Sequence, residues 1–550
     1  MKIPFGNLLW ILALALIVGL TYQTALDNEF VNWDDNSHLT HNVFIRPLDG
    51  PGVREIFTSQ VDDIYVPLTL LSFAVEYHFF QDDPFVYHLN NVLLHVAVTG
   101  LVFYLAVLCG LSPSGAGLAA LIFGLHPMHV ESVAWVTERK DVLFAFFYLA
   151  ALCGYIGYLR RVQCTGYSFF SWFAFTAIVV LGVLSVLAKS MAVTLPLVLL
   201  AVDWYFSRPL SRRTLLEKAY LAVFMIPIAW RTVVLSADKL GPWQFKNICL
   251  WIWSFIFYLK KFLWPDFYTL FYHRPVGCLE CWPALIVFLV LLGLVAKWRK
   301  RRWLVFTFLF YAASILPVIR LVEINTHAAR YIYIPSVGLC LALAWVWEYA
   351  WSRGRTVFLK AFFVLVTGGF TAFLIVKTVS QIEVWQNSTN LWQHQLKTQP
   401  LAATGLAHNK LGWALLERKD FFPANTTCAA RIEGYFRRAI AINPYLDTSF
   451  QGLAELYLQL GRLDKAEKYF LKTLQVNSGN FEAVFGLGRL YYAGGQKARG
   501  LEMFQKAMAL KPDNVLLYNK IQRFYGTHPP ADPAERVFWQ AMQKRFEHGR

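Results

Sequence analysis

Long apolar runs separated by short basic or aromatic-rich stretches recur from Ile3 to Lys377 and then stop. Each has about the 17 to 25 residues that an α-helix needs to cross a bilayer core of ~30 Å. The runs begin near Ile3, His88, Gly115, Val142, Ser171, Ala192, Tyr220, Pro283, Trp303, Tyr331 and Val357, which predicts eleven crossings. A further apolar segment, Ile248 to Leu263, ends in Lys260, Lys261, Trp264 and Pro265. Its aromatic residues suit the headgroup level, and it reads as an interfacial or re-entrant helix. After Ser380 the chain turns polar and helix-favouring. The predicted organisation is all-α: a polytopic transmembrane bundle over 1–380, a linker over 381–404 and an extracytoplasmic repeat domain over 405–550.

The repeat has a period of 34 residues. Leu453, Ala454, Tyr457, Gly461, Ala466 and Phe470 return as Leu487, Gly488, Tyr491, Gly495, Gly500 and Phe504. Small residues where paired helices touch, at that period, are the tetratricopeptide signature. An earlier copy runs from His408, Leu411, Gly412 and Leu415 to Phe436, Ala439 and Pro444, with extra residues around Phe421 to Cys428. The pattern restarts at Tyr518, Ile521 and Tyr525, and Pro533 to Phe546 reads as a last helix.

Composition agrees: 57% of the 550 residues are apolar and 16% charged. The net charge of +16 would suit nucleic acid on a soluble protein, but the basic residues are clustered between spans. They stand at Arg160 and Arg161; at Arg208, Arg212, Arg213 and Lys218; from Lys297 to Arg302; and at Arg353, Arg355 and Lys360. This is the positive-inside pattern, which reports topology and argues against a nucleic-acid partner. Asn7 to Tyr22 reads as an uncleaved first span, because residues 24–29 offer no small-x-small cleavage site. With these clusters cytoplasmic, the expected outer segments are 27–87, 126–141, 188–191, 236–282, 320–330 and everything after about Lys377. Cys278 and Cys281 are the one close cysteine pair, in an outer loop where a local disulfide is chemically allowed.

The outer segments carry the candidate chemistry. FVNWDDN at 30–36 holds Asp34 and Asp35 beside Trp33. Such a pair serves as general base, as metal ligands, or as a helix cap in a solvated loop. HPMHVESVAWVTERKD at 126–141 packs His126, His129, Glu131, Glu138, Arg139, Lys140 and Asp141 where one span ends and the next begins. Ionisable side chains at membrane depth are costly unless they pair or serve a ligand. His126 and His129 suit either hydrogen bonding or, with Glu131, a metal. Lys189 and Arg330 run against the charge bias of that side, which points to a bound anion or to pairing with acids such as Glu323. A carboxylate pair, cations for a phosphate, aromatic residues for a sugar ring and an apolar slot between spans are what a lipid-linked sugar phosphate requires.

Trp33, Asp34 and Asp35, the 126–141 stretch, AKSMAVTLP at 188–196 followed by Asp203 and Trp204, and ARYIYIPS at 329–336 together resemble the transmembrane and tetratricopeptide repeat-containing (TMTC-like) family. That family is related to the protein O-mannosyltransferases of the GT-C glycosyltransferase superfamily. The resemblance covers nearly the whole chain. It implies a GT-C-like membrane domain, an inverting lipid-phosphate-sugar-dependent glycosyltransferase, and a polyprenyl-phosphate sugar as donor substrate, with Asp34 and Asp35 catalytic. Side and charge add Arg139, Lys140, Lys189 and Arg330 as donor phosphate-binding residues, and Trp33, His126, His129, Glu131 and Glu138 as lining. The residues identify no certain cofactor; a divalent metal is possible, with Asp34, Asp35 or His129 as candidate ligands. The expected acceptor is a protein Ser or Thr hydroxyl, presented by the repeats. The short repeat array looks bacterial, which would make this a multi-pass inner-membrane protein with its site and repeats in the periplasm. The alternative is a non-catalytic, membrane-anchored scaffold for envelope assembly.

Overall fold

The computed structural model describes residues 5–235, 244–266, 268–272, 277–318, 328–354, 356–398, 405–418, 426–511, 515–530 and 533–548. It is helical throughout, with an isolated bridge between Val61 and Ile64 as the sole β pairing among the described residues. It divides into two compact units, Met1–Leu391 and Trp392–Arg550.

Among the described residues of the first unit seven helices are long and apolar enough to cross a membrane: Gly6–Asp27, Pro84–Leu108, Val136–Cys164, Phe169–Ala188, Arg212–Leu235, Leu279–Lys297 and Val357–Val384. Pro113–Leu125, Ser190–Tyr205 and Arg302–Ile315 are shorter apolar helices, and Pro335–Arg353 adds 19 residues. All eleven predicted crossings are thus helices. Phe245–Leu263 is not among those apolar and long enough to cross. It is fixed by one face: Tyr311 donates to the Phe255 carbonyl at 2.8 Å and Tyr258 to that of Ala328 at 3.1 Å.

Two boundaries move for physical reasons. The crossing expected from Tyr220 begins at Arg212, because the charges ahead of the apolar run are neutralised within the fold. Arg208 forks onto Glu217 at 2.6 and 2.8 Å, Tyr158 donates to Glu217 at 2.7 Å, and Lys218 pairs with Asp203. The last span continues to Val384, and Ser388–Thr398 is helical within the stretch expected as linker. There the chain braces the first loop: Glu29 N–H donates to the Gln386 carbonyl at 2.8 Å and Asn32 N–H to Ser388 Oγ at 2.8 Å.

The basic helix ends gather. Arg160 donates to the Leu108 carbonyl at 2.7 Å, Tyr205 to that of Cys109 at 2.6 Å and Arg302 to that of Tyr205 at 3.4 Å. Lys140 starts the helix whose other end carries Tyr155, Tyr158 and Arg160, so the two ends lie about 22 Å or more apart. Between spans one and two the chain folds into a cap. Gly50–Thr58 and Pro67–Phe80 enclose a core of Leu39, Ile45, Ile56, Val66, Leu70, Phe73 and Tyr87, with Val136 closing it.

The second unit is a stack of helix pairs, Gly405–Glu417 with Thr426–Ile442, Asp447–Gln459 with Leu463–Val476, and Phe481–Ala493 with Lys497–Leu510, followed by Val515–Thr527 and Pro533–His548. The repeat positions explain the stacking. A Cβ on Gly452 would meet the Phe436 ring at 2.3 Å, and one on Gly486 the Phe470 ring at 2.3 Å, so each pair seats an aromatic on a glycine of the next. Gly461 and Gly495 turn the chain with φ of +69° and +79°, where a side chain would be strained.

Candidate active site

The 126–141 stretch folds as two 3-10 turns around a short helix, Val130–Ala134, and runs into the helix from Arg139. Its backbone is pinned by a polar residue inside a span. Asn91 Nδ2 donates to the carbonyls of Val133 at 3.1 Å and Trp135 at 3.2 Å, and Asn91 Oδ1 accepts from Arg139 Nε. The rest of the Arg139 fork is also taken: Nη1 lies 2.7 Å from Glu76 and Nη2 2.8 Å from the Tyr87 carbonyl, with the guanidinium over Phe73. Arg139 is therefore not brought to the other expected phosphate-binding cations. It locks the cap helix and the second span to the loop.

Glu138 and Lys140, on either side of it, enter a different network. Glu138 Oε1 lies 3.1 Å from Lys140 Nζ and 3.2 Å from Arg330 Nε, and Oε2 lies 3.2 Å from Lys189 Nζ. Lys189 also pairs with Asp141 at 2.5 Å, and Arg330 with Glu131 at 2.5 Å. Ser132 donates to Asp141 at 3.0 Å. Residues from three separate segments, 131–141, Lys189 and Arg330, thus meet in one buried cluster, three cations against Glu131, Glu138 and Asp141. Lys189 and Arg330 each hold two carboxylates, whereas Lys140 has Glu138, which it shares, and the face of Trp135 at 5.7 Å. Lys140 has the most donor capacity left for a ligand.

Asp34 belongs to this site through its charge. Burial pushes its carboxyl above the ordinary value, while Lys140 and Arg330 pull it back down. Asp35 does something else. Its Oδ2 accepts from Val31 N–H at 2.8 Å, and its Oδ1 from Thr137 N–H at 3.1 Å and from the Thr137 hydroxyl. Burial raises it to about 6, these hydrogen bonds opposing the shift. With its acceptor positions occupied by protein, Asp35 ties the first loop to the Thr137 turn and so sets where Asp34 stands. Trp33 meets Phe271 edge-on, ring centres 5.6 Å apart.

The histidines are structural in their contacts. His126 Nε2 lies 2.9 Å from the Phe262 carbonyl, and Nδ1 accepts from Met128 N–H at 3.2 Å. His129 Nδ1 is 2.7 Å from the Phe123 carbonyl and Nε2 is 2.9 Å from Ser336 Oγ. Both nitrogens of each ring are thus engaged. Among the described residues no group of three or more His, Cys, Asp or Glu is placed to hold a metal ion. The donor set of Asp34, Asp35 and His129 does not fit a metal. Glu323 and the Cys278 side chain lie outside the described residues.

Sequence reasoning missed Glu76, Asn91 and Trp385 as parts of this region, and gave Trp135, inside the 126–141 stretch, no role of its own. An asparagine amid an apolar run was the available signal for Asn91, since such a group needs partners inside the fold. Trp385 gave none; it stacks on Trp135 at 5.2 Å across 250 residues of chain.

Membrane-spanning helices, a buried ion cluster at one end and a stack of paired helices define a multi-pass membrane protein with a tetratricopeptide tail. A tetratricopeptide repeat model matches residues 448–480. The chain is similar to the protein O-mannosyl-transferase TMTC2 of Mus musculus, 24% identical over 640 residues that cover 88% of this chain and 73% of that one. It is 32% identical over 180 residues to the Xenopus laevis tmtc2, covering 32% of this chain and 21% of the relative. The human TMTC1 is 33% identical over 172 residues, 28% and 19% of the two chains. The chain is thus TMTC-like in sequence, and the match to the Xenopus laevis relative spans about a fifth of that protein's length. Among solved structures, ArnT from Cupriavidus metallidurans bound to undecaprenyl phosphate aligns over 91% of this chain and 78% of that one, with 14% identity and a TM-score of 0.35.

Proposed function

We propose that this chain is a membrane glycosyltransferase of the GT-C type, moving a sugar from a polyprenyl-phosphate donor to a protein Ser or Thr hydroxyl at the extracytoplasmic face. The observation that carries the reading is Asp34: a partly buried carboxylate of raised proton affinity in the field of Lys140 and Arg330. It stands at the end of the bundle away from the gathered basic helix ends, which supports an outer, periplasmic site. The relatives' name, protein O-mannosyl-transferase, supports the acceptor class.

In this mechanism Asp34 takes the proton of the acceptor hydroxyl as its oxygen bonds to the anomeric carbon. The bond from that carbon to the phosphate oxygen breaks, with inversion, and the electron pair leaves on polyprenyl phosphate. Lys140 meets the charge that develops there, backed by Arg330 and Lys189 through Glu138. Asp35 positions the base rather than acting as one, Arg139 positions the loop, and residues 405–550 present the acceptor.

The test is the full-length protein reconstituted with a polyprenyl-phosphate sugar and a Ser/Thr peptide. Asp34→Asn should insert and unfold like the parent yet lose transfer. Full transfer by that variant would remove Asp34 as base; no transfer by the parent with any polyprenyl-phosphate sugar would favour the scaffold alternative.

A further inference from the structure

Trp135 is buried, 1% exposed, with one face stacked on Trp385 at 5.2 Å and 18° between planes. Lys140 Nζ lies 5.7 Å and Arg330 Cζ 5.4 Å from its ring centre. Its carbonyl is held by Asn91 at 3.2 Å, so the residue is fixed by main chain and ring alike. Its indole N–H, however, has no hydrogen-bond acceptor among the described residues. A buried donor without a partner is a cost that folded proteins rarely leave uncompensated.

The chemistry of that donor is narrow. An indole nitrogen donates only, so what completes it is an acceptor. Two cations beside the ring select an acceptor carrying negative charge. A second buried side chain nearby is also unmet: among the described residues neither ring nitrogen of His38 makes a hydrogen bond, Asp62 Oδ2 stands 3.6 Å away, and Lys140 and Glu138 are its charged neighbours. Unused polar capacity thus collects around Lys140.

We propose that the Trp135 indole N–H donates to the phosphate of the lipid-linked donor, alongside Lys140, and so selects a phosphate-bearing polyprenyl lipid over the free polyprenyl alcohol. This rests on the donor class argued above. Trp135 would be a binding residue that keeps its hydrogen bond as charge grows on the leaving phosphate.

The experiment uses full-length protein in lipid nanodiscs, with undecaprenyl phosphate as probe and undecaprenol as its uncharged control. Trp135→Phe keeps a ring for Trp385 and removes only the N–H. Since hydrogen bonds to charged groups are strong, binding of undecaprenyl phosphate should weaken by about tenfold or more, while undecaprenol is unaffected. Trp385→Phe disturbs the same stack but keeps the Trp135 N–H, and should leave the preference for phosphate in place. Equal weakening for both lipids in Trp135→Phe, or the same loss in Trp385→Phe, would assign Trp135 to packing and overturn the proposal. Unchanged binding in Trp135→Phe beside weakened binding in Lys140→Gln would overturn it while leaving the donor class standing. A parent protein that does not distinguish the two lipids would remove the donor class itself.

Discussion

Replacing Arg139 with lysine separates the role its charge suggests from the role its contacts give it. The guanidinium holds Glu76 at 2.7 Å and the Tyr87 carbonyl at 2.8 Å, binds Asn91 through Nε and lies over Phe73, with 2% of the side chain exposed. A lysine can keep the charge opposite Glu76 but cannot reproduce a three-way planar fork. Each lost charge-assisted hydrogen bond is worth about 1.5–3 kcal/mol, and the acceptors left behind are buried. Part of this returns through rearrangement, so Arg139→Lys should lower stability by roughly 3 kcal/mol. The measurement is denaturant or thermal unfolding of the detergent-solubilised protein, paired with initial rates against donor concentration at a temperature where the variant remains folded. The expected result is a lower midpoint with the donor KM unchanged, because Arg139 does not touch the cluster around Lys140. A variant with parental stability and a strongly raised donor KM would refute this reasoning and return Arg139 to the phosphate site.

Lys140→Gln leaves the buried carboxylates one cation short and should lower stability by roughly 3 kcal/mol, while Glu138 keeps Lys189 and Arg330, and should raise the donor KM at least tenfold; unfolding and steady-state kinetics decide it. The acid limb of kcat/KM should lie above the ordinary aspartate value, because Asp34 must be ionised to act as base and burial holds its pKa up. Activity is then lost as pH falls through that raised value, and a limb at or below pH 3.8 in the parent would exclude Asp34. Asp35, raised to about 6 when folded against 3.8 in the open chain, makes the folded state the stronger proton binder between these values. Its contribution to stability therefore declines as pH rises from about 4 to about 6, and Asp35→Ala should flatten that part of the unfolding profile. In the tail, Gly486→Ala would drive a methyl to within 2.3 Å of Phe470 and should cost about 1–3 kcal/mol, read as earlier proteolysis of residues 405–550.

Much of the bundle was legible because membrane insertion writes itself locally: a span is a continuous run, and its basic flanks need no knowledge of neighbours. The tetratricopeptide tail was legible for the same reason, since its contacts repeat at a fixed interval: Phe436 meets Gly452, and 34 residues on Phe470 meets Gly486. What failed was the division of labour among adjacent charges. Glu138, Arg139, Lys140 and Asp141 are consecutive, and nothing in their order says that Arg139 takes Glu76 while Lys140 stays with Glu138. That depends on a helix turning successive side chains through about 100° and on partners 63 residues away. Asp34 and Asp35 separate likewise. Their spacing allows a shared role, but Thr137, 102 residues on, claims Asp35 and leaves its neighbour to the cluster.

The same partition explains how cations able to meet an anion are kept stable inside the fold. Lys140, Lys189 and Arg330 would repel one another in a buried space, and lone buried charges are too costly to hold in readiness. Here Glu138 bridges all three, and Glu131 and Asp141 complete the balance. Three cations thus face three carboxylates, so an arriving phosphate adds charge that the field around Lys140 must absorb. It can do so because the pairing is uneven: two cations are held twice and one is held by a shared carboxylate. Loosening Lys140 from Glu138 towards a phosphate costs one contact, and Glu138 keeps its other two. The Arg139 anchor, which shares no partner with this set, keeps the loop in place while that exchange occurs.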